Sequence, residues 1–170
     1  MAAIRSIDDE IELSFRLMRK SFDPFQLDLE WFEYEISIKL RRQNESAEDS
    51  EVLPATERHT VRGKINRKDL VALMRELDEL LAGKDPLRFE PYDLNFYFEW
   101  SRETPRIFLI VTWFDLGLSP RRPDHRFPSA HSGFRFLAEE SSIAEFRRAL
   151  EEEFITWLQP DSGPSNEFVN

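Results

Sequence analysis

The sequence predicts an α+β protein in which an antiparallel sheet carries two amphipathic helices, in the order βββα–βββα. Two observations predict it. The first is a hairpin over residues 87–114. There Leu94, Phe96, Phe98 and Trp100 alternate with Asp93, Asn95, Tyr97 and Glu99, the period of a strand with one face against a core. Residues 101–105 read as a polar turn. Residues 107–114, apolar on both sides except at Thr112, read as a central strand covered on both faces. The second observation is a pair of apolar stripes at helical spacing. One runs Leu70, Leu73, Met74, Leu77, Leu80, Leu81; the other runs Ile143, Phe146, Leu150, Phe154, Trp157, Leu158.

The remaining elements follow in chain order. Ile11, Leu13, Phe15 and Leu17 alternate with polar residues and predict a first strand. Asp23-Pro24 signals a turn. Residues 27–40 alternate in two series, Leu27, Leu29, Trp31 and Phe32, Tyr34, Ile36, Ile38, so a β-bulge is expected near Trp31–Phe32. Residues 43–56 are polar and acidic and predict a mobile loop. Residues 57–65 predict a weaker strand with Val61 and Ile65 on one face. The helix over 67–82 has Asn66 as its N-cap, Asp69 in its first turn and Gly83 as its stop. Asp85-Pro86 closes this unit. Residues 118–132 predict a loop and 133–138 a short strand. Ser142 with Glu145 forms a capping box for the second helix. Residues 161–170 predict a loosely held tail. If both helices cover one face of the sheet, the other apolar face of the central strand needs a curved sheet, a loop or a partner over it.

Length and composition set the class. A chain of 170 residues with fifteen Phe and four Trp suits a single domain, 1–170, with a sizeable core. The absence of Cys excludes disulfides, thiolate metal sites and a Cys nucleophile. No apolar run reaches the length of a membrane span, and MAAIRSIDDE lacks a signal-peptide hydrophobic region, so a cytoplasmic protein is expected. The net charge of −10 argues against direct nucleic-acid binding. It serves either solubility or contact with a basic protein partner.

Candidate chemistry is sparse. His59, His125 and His131 show no metal-ligand spacing, and neither metal nor cofactor is expected. Arg121, Arg122, His125 and Arg126 form a basic cluster that could hold a phosphate or carboxylate, or simply pair with neighbouring acids. No nucleophile elbow and no Gly-rich phosphate loop is present in the sequence, and no catalytic residue is expected. The acidic run Glu45, Glu48, Asp49, Glu51 is the candidate partner surface, since a rigid sheet can present a long polar loop.

The early strand, the helix RKDLVALMRELDELL and the stretch FEPYDLNFYF together resemble the WapI-like family of bacterial immunity proteins. Glu90-Pro91 followed by Leu94 and Phe96 corresponds to that family's acidic-proline pair before an alternating strand, with one extra residue in the spacing. Residues 107–114 and 142–158 correspond to its second strand and C-terminal helix. The resemblance implies a cytoplasmic protein that binds and neutralises a secreted toxin, often a nuclease, with no catalytic residues and no cofactor. The acidic surface would then occlude the toxin's basic cleft. The alternative is a small-molecule-binding or enzymatic domain, its pocket between sheet and helices or near the 121–131 loop. An interaction module unrelated to toxins is a third reading.

Overall fold

Alternation along the strands sorts the chain into inward and outward faces. The computed structural model describes residues 1–21, 29–41, 56–91, 96–115 and 131–159. Strands β1 (Ala2–Arg5), β2 (Ile11–Ser21), β3 (Trp31–Arg41) and β4 (Thr56–Asn66) form an antiparallel meander in that order, followed by α1 (Arg67–Leu81). Strands β5 (Leu87–Phe89), β6 (Phe96–Thr104), β7 (Ile107–Asp115) and β8 (His131–Glu139) repeat the meander, followed by α2 (Glu140–Leu158). The α+β class and the strand-then-helix rhythm are therefore as expected. The single sheet resolves into two of four strands. The added strands, β1 and β5, are four and three residues long, too short to show a period.

Both sheets turn their inner faces to one core. Leu13, Phe15 and Leu17 of β2 and Phe32, Tyr34, Ile36 and Ile38 of β3 are buried there with Phe96, Phe98 and Trp100 of β6 and Phe108, Ile110 and Phe114 of β7. Phe96 is the joint: its ring meets Phe15 and Tyr34 of the first sheet and Phe89 and Phe98 of its own. The helices close the remaining sides. α1 packs on β4 and β5, and α2 on β1, β2 and β8, so each helix reaches the short first strand of the other half. Phe154 meets Phe32 edge-on and Phe146 meets Trp100, which locks α2 to both sheets.

Helix α1 follows its local signals. The Asn66 side chain accepts from the Asp69 amide at 2.9 Å, satisfying a donor of the first turn. Gly83 takes φ +109°, a conformation that penalises any side chain, just past the C-cap Ala82. Helix α2 departs from its signal. It begins at Glu140 with Glu139 at the N-cap, and Ser142 instead accepts from the Arg5 amide at 3.2 Å. Strand β8 runs directly into the helix, and the Glu140 amide is satisfied by the Arg106 carbonyl at 2.9 Å. The capping box has no open turn to close.

Three further expectations are corrected. The bulge lies in β2, where Met18 is the extra residue between Leu17 and Arg19, opposite Tyr34 and Glu33. Trp31 and Phe32 are both buried because they sit on opposite sides of β3, Phe32 in the main core and Trp31 apart from it. The hairpin turn is Pro105-Arg106, because β6 continues through polar residues to Thr104, whose backbone still pairs with β7. Finally, β7 is covered on one face. Phe108, Ile110, Thr112 and Phe114 are buried, whereas Leu109 and Val111, expected in the core, are half-buried on the outer side. Both helices fill the inner side, and none of the described residues forms a layer over the outer one.

Candidate interaction surfaces

Residues that alternate away from the core give the two sheets unlike outer faces. On the first sheet the outer positions carry charge. Glu12 of β2 accepts from Lys39 at 2.6 Å and from Arg5 at 3.1 Å. Glu35 of β3 accepts from Arg58 at 3.0 Å and from Arg62 Nε at 2.8 Å. Glu33 takes a two-pronged contact from Arg19 at 2.7 and 2.9 Å. Between the charged rows, Ser14 and Ser37 share a buried hydroxyl contact of 2.7 Å. The hydrogen bond from Lys39, with support from Arg5, holds the Glu12 carboxyl below the usual carboxylate range despite its desolvation. The Arg19 bond does the same for Glu33.

The outer face of the second sheet is apolar at its centre. The register sets Leu109 beside Leu137 and Ser101, Trp113 beside Gly133 and Tyr97, and Val111 between Glu99 and Arg135. Trp113 is 44% exposed and Leu137 42%. Gly133 explains how the indole lies down: a Cβ there would stand 2.6 Å from Trp113 Cε3, so only glycine lets the ring rest on β8. At the margin, the Tyr97 hydroxyl donates to Glu99 at 2.7 Å. Burial, then that carboxylate, pushes the Tyr97 pKa up to about 12, so the phenol keeps its proton.

An open groove of about 490 Å³ runs between β2 and α2, lined by Arg16, Leu17, Glu152, Glu153 and Trp157 among others. It is the described counterpart of the expected space between sheet and helices. Its inner carboxylate, Glu153, is already engaged, accepting from the Leu17 amide at 2.9 Å, which ties α2 to β2. Two arginines tie the helices elsewhere. Arg147 bridges Met74 O and Asp78 of α1 to Glu151 of α2. Arg102 lies over the Phe108 ring at 4.4 Å and donates to Leu80 O at the end of α1.

The residues singled out in the sequence fall largely elsewhere. Glu45, Glu48, Asp49 and Glu51 lie outside the described residues, as do Arg121, Arg122, His125 and Arg126. His59 is exposed on β4, its ring 5.3 Å from that of Phe134 on β8, and the His131 backbone opens β8. No group of His, Cys, Asp and Glu among the described residues has the geometry to hold a metal ion. No described helix is long and apolar enough to cross a membrane. The charged face of the first sheet was missed in the sequence, and the apolar face of the second was anticipated only as the uncovered side of residues 107–114; the full signal is the residue identity at alternate positions of paired strands, which requires the pairing to be known. Searches of protein-family models, curated proteins and solved structures find no match to this chain.

Proposed function

We propose that the protein works by binding another protein through the outer face of its second sheet, as a cytoplasmic immunity protein of the kind the resemblance implies. The observation that carries this reading is the apolar patch of Leu109, Val111, Trp113 and Leu137. An antiparallel sheet with one face on a core ordinarily presents polar residues on the other. Aromatic and aliphatic side chains collected there match the centre of a protein interface, where a few buried anchors dominate affinity. Trp113 is already laid against Gly133, so little freedom is lost when a partner covers it. The charged margin of Arg88, Glu99 and Arg135 supplies a polar rim. Neutralisation would follow from covering the toxin's cleft, with the negative net charge favouring approach to a basic toxin such as a nuclease.

Co-expression with the toxin domain encoded beside its gene tests this. The wild-type chain should restore growth, and Trp113→Asp with Leu137→Asp should abolish protection while the circular dichroism and melt stay native-like. Protection by the double variant equal to wild type would refute the assigned surface. A gene neighbourhood without a secreted toxin would refute toxin neutralisation.

A further inference from the structure

We infer that the outer face of the first sheet is a second docking surface, one that takes an acidic polypeptide segment. Eight cations point outward from the four strands against three carboxylates: Glu12, Glu33 and Glu35 face Arg5, Arg16, Arg19, Lys39, Arg41, Arg58, Arg62 and Lys64. This is a chain in which 33 acids outnumber 23 Lys and Arg, so a merely solvated face would lean acidic. The sign bias sharpens with depth. The carboxylates lie on the two inner strands, with side chains 9% to 31% exposed, while Arg5, Arg19, Arg58 and Arg62 stand 52% to 72% exposed around them. An approaching molecule therefore meets guanidinium groups first. Each carboxylate also pre-orients the cations beside it, because a guanidinium bonded through one edge keeps its other N–H groups directed outward.

The occupant follows from chemistry. Alternate residues of a strand lie about 6.8 Å apart, the spacing at which an extended acidic chain also presents its side chains on one side. Carboxylates suit the fork geometry of arginine. A nucleic acid fits less well. Among the described residues the face offers no exposed aromatic ring on which a base could stack: Trp31, at the start of β3 on this side, is only 2% exposed. The rest of the chain is more negative than −10 by the excess of cations on this face, and it would repel a long polyanion extending past the sheet.

The test is fluorescence anisotropy with a labelled twelve-residue alternating Asp/Glu-Ser peptide, and with single- and double-stranded oligonucleotides of equal charge, at low and physiological salt. The peptide should bind, and more tightly than either oligonucleotide. Arg19→Gln, Arg58→Gln and Arg62→Gln together should weaken peptide binding roughly tenfold at low salt, with a smaller ratio at physiological salt, as expected for exposed ion pairs. The Trp113→Asp, Leu137→Asp protein should bind the peptide unchanged, which separates this surface from the one proposed above. No peptide binding, or equal binding by a natively folded triple variant, overturns the inference. Tighter binding of an oligonucleotide overturns the choice of an acidic polypeptide.

Discussion

Emptying the Phe96 site should cost more stability than any substitution on the outer faces. The ring is 2% exposed and stands among four others, with centroids at 4.8 Å to Phe98, 5.3 Å to Tyr34, 5.9 Å to Phe89 and 6.3 Å to Phe15. Truncating a buried Phe to Ala typically costs about 3–5 kcal/mol, with the cost rising as the cavity fails to collapse. Here collapse is opposed from both sides, because Phe15 and Tyr34 belong to one hydrogen-bonded sheet and Phe89 and Phe98 to the other. Aromatic pairs contribute beyond their area. We therefore expect Phe96→Ala to cost about 4–5 kcal/mol, toward the upper end of that range. Urea denaturation followed by circular dichroism measures it, the midpoint falling while the slope stays constant. Domains of this size are stable by only about 5–15 kcal/mol, so Phe96→Leu, expected to cost about 1–2 kcal/mol, gives a second point. Ile155→Ala on the exposed side of α2, at 49% exposure, should stay within about 0.5 kcal/mol of wild type. A Phe96→Ala loss below about 2 kcal/mol would refute the assignment of Phe96 as the joint between sheets.

Two other outcomes follow from local geometry. Glu12→Gln should cost about 1 kcal/mol at neutral pH by weakening the contacts to Lys39 and Arg5. Because the folded carboxyl titrates below its ordinary 4.5, that contribution is present above pH 4.5 and is lost as pH falls through the lower folded value. Denaturation curves of the two proteins should thus converge in acid, and a gap unchanged from pH 7 to pH 3 would disprove the linkage. Gly133→Ala should expel the Trp113 ring from β8 while leaving the fold intact, since the clash is with a half-exposed side chain and Gly133 has no positive φ. A changed near-ultraviolet circular dichroism spectrum and weaker partner binding are expected; an identical spectrum would contradict the contact.

Much of the architecture is legible locally. The stripe from Leu70 to Leu80 and the stripe from Ile143 to Phe154 are buried as their spacing requires, and Asn66 and Gly83 bound α1 through bonds that reach only a few residues. Such signals concern neighbours in the chain, and no distant contact is needed to settle them. Where a distant partner supplies the same bond, the local signal loses. Ser142 is a good N-cap by sequence, yet the Arg106 carbonyl serves the Glu140 amide and the Arg5 amide takes the serine hydroxyl.

The class of the fold, both helices and the inward residues of β2, β3 and β6 can be read from the chain alone, because hydrophobic periodicity is a property of neighbouring residues. Long-range strand pairing decided that the strands divide into two sheets with a shared core. It also decided that β7 buries Phe108 and Ile110 while leaving Leu109 and Val111 outward, and that cations from four strands gather on one face. An apolar strand has the same composition on both sides, and a scatter of arginines has the same net charge wherever they lie. Which side meets a core, and which charges become neighbours, depends on strand pairing between residues far apart in the chain.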